Sequence, residues 1–332
     1  MKVYEGIESV PDPAPRTVLV LGTFDGVHRG HRALFALGKE RAVASGAEAW
    51  AVTFDPHPST VLAPSLAPPL LSTLESRLGL IGGLGMDAAV VLEFDRAFAA
   101  TSPEQFVESC LSRCGAVEVV AGYDFTFGAE RAGNVDLLRE LCSPAGVLVH
   151  VVPPVSVDGG VVPSSTKIRQ LLLEGRVEAA GTLLGRPYTV EGPVRTGEGR
   201  GRRLGFPTAN VEAEGGVLLP ANGVYAVLVA LAGEGRDLWG AANIGTNPTF
   251  TSDSTRRLEV HVLDGGSGID EGLAVGSMDS LVGRRMRVGF IKRLRAERRF
   301  DSAEDLTCRI QADVEAARVA LGSFSEGQES DG

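Results

Sequence analysis

Up to about residue 152 the chain alternates short, unbroken apolar runs with longer stretches in which apolar residues recur at helical spacing. The runs Val18–Leu21, Ala49–Phe54, Ala88–Phe94, Val117–Ala121 and Val147–Val152 read as strands. His31–Ser45, Pro103–Cys114 and Asn134–Leu141 read as the segments between them. This alternation predicts βαβ units, hence a parallel sheet with its ligand site at the carboxyl ends of the strands. After Leu184 the pattern changes. Tyr188–Val194, Val224–Leu231, Leu238–Asn243, Leu258–Leu263 and Met286–Leu294 are longer, alternate apolar with polar, and are separated by Gly- and Pro-rich turns. That predicts a small closed antiparallel barrel. One amphipathic helix follows, Ala303–Leu321, with Leu306, Ile310 and Val314 on one face. Residues 323–332 carry Ser, Glu, Gly, Gln and Asp and read as a disordered tail. The expected organisation is α/β: a parallel-sheet domain over 1–184, a β-barrel domain over 185–322 with one long C-terminal helix, and the tail.

Composition changes this picture little. A hydrophobic content of 44% and a charged content of 22% describe an ordinary globular chain, and 332 residues favour two domains. The formal charge is −10, with 14 basic and 21 acidic residues up to Leu184 and 18 and 21 after it. Neither half is a basic module, so nucleic acid is a poor partner. Cys110, Cys114, Cys142 and Cys308 form no C-x-x-C pair and lie near no histidine in sequence, which argues against a zinc site or a disulfide framework. No apolar stretch reaches membrane-spanning length, and the N-terminus lacks a basic segment followed by an apolar one. A cytoplasmic protein with no membrane partner is expected, and no protein partner is indicated.

The chemistry concentrates in a few segments. Gly22-Thr-Phe24-Asp25-Gly-Val-His28-Arg-Gly30-His31 directly follows the first strand. His28 and His31, three apart at a helix start, share a face, and a helix N-terminus favours a polyphosphate through its free N–H groups and its dipole. Pro163-Ser164-Ser165-Thr166-Lys167-Ile168-Arg169 precedes a second helix. Its hydroxyls can cap that helix, and with Lys and Arg in the first turn it is also an anion site. Thr53-Phe54-Asp55-Pro56-His57-Pro58 follows the second strand, and Gly122-Tyr-Asp124-Phe125-Thr-Phe127-Gly128 the fourth. Aromatics with few polar groups at strand ends suit a flat heteroaromatic ligand. In the second half, Gly197–Gly205 is rich in Gly and Arg and runs into Phe206-Pro207-Thr208-Ala209-Asn210. Its glycines lack dinucleotide-fingerprint spacing, and no P-loop is present. Asn243–Phe250 and Leu258–Asp264 follow. On the alternating strand 258–263, Glu259 and His261 face away from Leu258, Val260 and Val262.

H-x-G-H after G-x-F-D resembles the signature of the nucleotidyltransferase superfamily, whose members transfer a nucleotidyl group from a nucleoside triphosphate. F-x-P-H-P, G-x-D-F-x-F-G with Arg131-x-Gly133, S-S-T-x-I-R and P-T-A-N narrow the resemblance to the prokaryotic bifunctional riboflavin kinase/FAD synthetase family, over Val18 to Leu321. The resemblance implies a Rossmann-like FMN adenylyltransferase domain followed by a riboflavin kinase barrel. ATP would phosphorylate riboflavin to FMN in the barrel, and a second ATP would adenylylate FMN to FAD and pyrophosphate in the first domain. It implies His28, His31 and Glu259 as catalytic residues, Glu259 as the base for the riboflavin 5′-hydroxyl. Gly22, Phe24, Asp25, Gly30, Ser164, Ser165, Thr166 and Arg169 would meet the nucleotide of the first site. Thr208 and Asn210 would hold Mg²⁺ and nucleotide phosphate in the second. Phe54, His57, Pro58, Asp124, Phe125, Phe127 and the flap residue Arg202 fall to the flavin. Gly265–Ser280 departs from the family as a polar insertion. A cytidylyltransferase fused to an unrelated barrel is disfavoured by P-T-A-N and the Glu259 strand. A flavin sensor with decayed catalysis is disfavoured because His28, His31, Asn210 and Glu259 are all present.

Overall fold

The computed structural model describes residues 1–197, 201, 204–232, 237–246, 256–263, 281–298, 300 and 302–330. Arg202 and the insertion at 265–280 lie outside them. The chain divides into two compact units, Met1–Ser165 and Thr166–Gly332.

The first unit is a six-stranded parallel sheet of β1 (Lys2–Glu5), β2 (Thr17–Leu21), β3 (Glu48–Asp55), β4 (Ala88–Glu93), β5 (Ala116–Gly122) and β6 (Leu148–Val152), in the order β1-β4-β3-β2-β5-β6. Side chains alternate between two buried layers. Leu19, Leu21, Trp50, Val52, Val90 and Val119 enter one, and Val18, Val20, Ala49, Ala51, Ala89 and Val120 the other. Both faces are therefore covered, as a parallel sheet requires. The helices are α1 (Arg29–Ser45), α2 (Pro58–Leu62), α3 (Leu74–Gly83), α4 (Arg96–Ala99), α5 (Pro103–Phe106) and α6 (Val135–Cys142). After α5 a π-helical turn, Val107–Ser112, continues the segment that the sequence pattern reads as one helix, and it buries Cys110. The chain builds outward from β2 through β3 to β4, then returns to lay β5 and β6 on the other side of β2. The carboxyl ends of β2 and β5 thus flank the point where strand order reverses, the expected place for a ligand.

The second unit opens with two helices, α7 (Ser165–Leu173) and α8 (Val177–Leu184). Six strands follow: β7 (Tyr188–Arg195), β8 (Ala209–Val211), β9 (Gly223–Leu231), β10 (Leu238–Thr246), β11 (Arg256–Val262) and β12 (Arg285–Arg295). They close an antiparallel barrel in the order β10-β11-β8-β7-β12-β9. Helix α8 packs on β7 and β12, burying Val177, Ala180, Leu183 and Leu184. The compact division thus falls at Ser165, whereas the sequence pattern sets its boundary after Leu184. The last helix, α9 (Ala303–Ser330), lies against the outer face of β9, β10 and β12. The expected tail is helical through Ser330: Phe324 joins the apolar layer formed by Ala317, Leu321, Ala226 and Trp239, and Ser323 and Ser325 bond back to the helix carbonyls of Val319 and Leu321.

Candidate active sites

At the carboxyl end of β2 the backbone turns through positive φ at Phe24 (54°), Gly26 (77°) and Val27 (41°) before α1 begins. His28 is the N-cap of α1, its Nδ1 accepting from the His31 N–H at 3.3 Å. The two imidazoles stack with centroids 3.6 Å apart, and His31 also meets Phe24 edge to face at 5.3 Å. Gly30 sits against this pair, since a Cβ there would come within 3.1 Å of the His28 ring. A close pair of imidazoles at the amino end of a 17-residue helix can donate to phosphate oxygens with the helix dipole behind them.

Several neighbours serve the loop more than the ligand. Gly22 N–H bonds to the Val52 carbonyl, continuing the strand pairing. Phe24 is fully buried against Phe35. The Asp25 carboxylate, 1% exposed, accepts from the N–H groups of Leu71 and Ser72 at 2.9–3.1 Å, so it anchors the loop to the segment before α3. Ser165 Oγ donates to the Asp25 carbonyl at 3.0 Å. Ser164 and Thr166 are exposed at the amino end of α7, and Arg169 lies one turn in, buried.

On the acceptor side, aromatic rings form a chain: Phe54 to Phe94 and Phe98, Phe98 to Phe106, Phe106 to Phe127, and Phe127 stacked on Phe125 at 5.6 Å. Phe54 and Phe127 belong to the buried core, whereas Phe125 is half-buried and Asp124 exposed. His57 caps α2, with Nδ1 accepting from the Ser59 N–H at 3.2 Å and Pro58 as the first helical residue. Of the expected flavin residues, Asp124 is exposed and Phe125, His57 and Pro58 are half-buried, which leaves these four accessible to a ligand. Phe127 supports Phe125 from within the core, and Phe54 packs on Phe94 and Phe98.

The second unit holds a cavity of about 570 Å³ between the barrel's outer face and α9, well within the range for small-molecule sites. Strand register explains its floor. Arg195 of β7 is opposite Asn210 of β8, Asn210 opposite Glu259 of β11, and Glu259 opposite Asn243 of β10. Directly opposed residues on one face have neighbouring side chains, so four polar groups form one transverse row, and all four line the cavity. Thr208, just before β8, joins them. His261, two residues after Glu259, bonds through Nδ1 to the Pro207 carbonyl at 2.8 Å and fixes the chain before Thr208. Gly197 permits this crowding: a Cβ there would lie 2.0 Å from the Asn210 amide nitrogen. The opposite wall is apolar, with Leu306, Ile310 and Val314 of α9. The buried Asp313 is gripped by Arg295 through Nε at 2.9 Å and Nη2 at 2.7 Å.

A carboxylate, two amides and a hydroxyl facing an apolar wall suit a ligand with a polar chain and a flat ring. Thr208 and Asn210 offer the hard oxygens that a divalent cation accepts, with phosphate oxygens needed to complete its shell. Among the described residues no cluster of three His, Cys, Asp or Glu forms a metal site without a nucleotide.

Two residues carry no role in the sequence reading. Asn243 belongs to a quoted segment, but only strand register places it beside Glu259. Arg77 of α3 is 4% exposed, and burial pushes its pKa below the usual guanidinium value although Asp25 and Asp55 oppose the shift. Its sequence signal is the single basic residue of α3.

Comparison with known proteins identifies both halves of the chain. Residues 11–166 match the family model for FAD synthetase, and residues 184–321 that for riboflavin kinase. The bifunctional riboflavin kinase/FMN adenylyltransferase of Pseudomonas fluorescens is 37% identical over 96% of this chain and 97% of its own length. The protein of that name from Bacillus subtilis is 33% identical over 93% of each. A crystal structure from Streptococcus pneumoniae, described as a macrolide-efflux protein, superposes with a TM-score of 0.81 at 29% identity, covering 96% of this chain and 99% of its own. Among the described residues no helix is long and apolar enough to cross a membrane. With both halves matched in order and nearly the whole length shared, the chain belongs to the bifunctional riboflavin kinase/FMN adenylyltransferase family.

Proposed function

We propose that the two activities occupy the two sites described above, each with its own ATP. In the barrel cavity the flavin ring lies against Leu306, Ile310 and Val314, and its ribityl chain reaches the polar row. Glu259 accepts the proton of the 5′-hydroxyl as that oxygen attacks the γ-phosphorus, and ADP leaves. Asn210, Thr208 and Asn243 hold the phosphates. Mg²⁺, which we assign to Thr208 and Asn210, supplies charge neutralisation of the transferring group. Arg202, outside the described residues, is assigned to the flavin on its motif alone.

At the end of β2 the FMN phosphate attacks the α-phosphorus of ATP and pyrophosphate departs. His28 and His31 stabilise charge on the phosphates. Ser164, Ser165, Thr166 and Arg169 are assigned to the nucleotide on their S-S-T-x-I-R motif. Phe125 and Asp124 line the flavin side. We place both reactions in the cytoplasm, where ATP is at hand, with no nucleic-acid or membrane partner.

The observation that carries this reading is the transverse row Asn210–Glu259–Asn243 on the cavity floor. Its test is the flavin products of Glu259→Gln, which removes a base and keeps the shape. FMN formation from riboflavin should fall by roughly 10²–10⁴-fold, while FAD formation from supplied FMN persists. Equal loss of both activities would refute separate sites.

A further inference from the structure

Arg77 has an environment that packing alone does not explain. Its Nη1 donates to the carbonyl of Thr23 at 2.8 Å and its Nη2 to the carbonyl of Phe54 at 3.0 Å. The Asp55 carboxylate, itself about half exposed, is 3.6 Å away. Thr53 Oγ1 is a second donor to the Thr23 carbonyl, at 3.1 Å. Thr23 opens the loop that ends at His28, and Phe54 lies near the end of β3, whose extension carries His57 and Pro58. One planar cation therefore bridges the carboxyl ends of two adjacent strands, one leading to the triphosphate side and the other to the flavin side. Helix α3 is itself held. Thr73 caps it, and the preceding Leu71 and Ser72 bond to Asp25 in that same loop. The loop contains left-handed residues other than glycine, a conformation that persists where the surroundings over-determine it.

We propose that Arg77 is a positioning residue for adenylyl transfer, setting the spacing between the Thr23–His28 loop and the Phe54–Pro58 strand end. The inference rests on the site assignment of the preceding subsection. The step it serves forms a bond from an FMN phosphate oxygen to the α-phosphorus of ATP and breaks that phosphorus's bond to the bridging oxygen. The electron pair leaves with pyrophosphate. In-line displacement depends on the two substrates' relative placement, and a misplacement of about 1 Å can cost on the order of 10²-fold in rate. Each substrate alone needs only its own segment. The spacing matters when both are bound. A guanidinium suits this task because its fork presents two donors in a fixed plane, whereas an ammonium is a point donor on a flexible stem.

The test uses Arg77→Lys and Arg77→Met in the full chain, with steady-state FAD synthesis from FMN and Mg-ATP. Equilibrium binding of each substrate alone and near-ultraviolet dichroism are measured beside it. The expected result for Arg77→Lys is a kcat lower by about 10–100-fold. The affinity for ATP alone and for FMN alone should stay within about threefold of the parent, with an unchanged spectrum. Arg77→Met should show no higher kcat than Arg77→Lys. A parental kcat in Arg77→Lys overturns the inference. So does a loss of kcat matched by equal losses of both single-substrate affinities, because the role is then structural only. His28→Ala in the same assay separates the two levels. If it keeps the parental rate, the site assignment falls and takes this inference with it. If it loses FAD synthesis while Arg77→Lys does not, only the role of Arg77 falls.

Discussion

The stacked imidazoles of His28 and His31 combine a structural duty with a chemical one, because His28 also caps α1. Replacing either by Ala should lower FAD formation from supplied FMN by about 10²–10³-fold, the usual loss when one charge-stabilising group is removed. FMN formation from riboflavin should continue, since the polar row of the barrel contains neither residue. Product separation after incubation with riboflavin and ATP reads both at once: FMN should accumulate and FAD should not. At this scale the sequence marks the motif but not which of its side chains hold the loop together. Asp25 and Phe24 sit inside the G-T-F-D-G-V-H stretch, yet the first ties down Leu71 and Ser72 and the second is core. Their partners lie far along the chain, and no local pattern announces them. Arg77 is the converse case, outside every motif and bonded to the loop.

Among the elements, strand positions follow closely from apolar runs, because a strand buried on both faces has little other way to read. The exceptions are short or mixed. β1 has four residues with an exposed pattern, and β8 has three, too few to show alternation. Helix α3 carries glycines and a buried arginine, which dilute its apolar signal. One cluster joins three elements of the first unit. Glu118 of β5 accepts from Arg41 of α1 at 2.7 Å and meets His150 of β6 at 2.5 Å, with its carboxylate 5% exposed. Burial pushes the Glu118 carboxyl upward, but hydrogen bonds and charge from Arg41 and His150 outweigh it and hold the group below its ordinary value. A depressed folded-state pKa stabilises the fold above the unfolded value, near 4.3, and the benefit disappears as pH falls through the folded value. Glu118→Gln should therefore lower the unfolding midpoint of the first unit by a few degrees at pH 7. The gap from the parent should narrow as the medium is acidified below about pH 4. A gap constant with pH would assign the cluster no ionic role.

On the scale of the whole molecule, the order of the two halves and their fold classes are readable from the change of periodicity after Leu184. For the boundary itself, the compact division at Ser165 and the change of periodicity after Leu184 differ. Helices α7 and α8 look like the end of a βα series, but they are stapled to the barrel by Ala221 N–H to the Leu172 carbonyl at 2.8 Å and by Arg293 to the Glu174 carbonyl at 3.3 Å. We expect a fragment starting at Thr166 to fold cooperatively and make FMN but no FAD. A fragment starting at Leu183 removes most of α8 and uncovers the apolar surface of β7 and β12. Since a fully buried Val or Leu side chain contributes about 1.5–3 kcal/mol, the shorter fragment should melt at clearly lower temperature or aggregate. Thermal unfolding and riboflavin phosphorylation of the two fragments decide the matter. Equal stability would place the boundary after Leu184, and a less stable shorter fragment would place it at Ser165.

Helix α9 divides its apolar face between two tasks. Ala317, Leu321 and Phe324 complete the layer over the barrel, Leu306 and Ile310 border the cavity of about 570 Å³, and Val314 does both. On the proposed reading, the substrate ring supplies the packing that Leu306 and Ile310 lack and completes that of Val314, and the free protein bears the cost of leaving them incompletely covered. Evolution then faces a trade-off confined to about two turns of helix. A bulkier residue at Ile310 would make the unliganded barrel sturdier by filling the space the vitamin must enter, so selection for turnover and selection for heat resistance pull these positions in opposite directions.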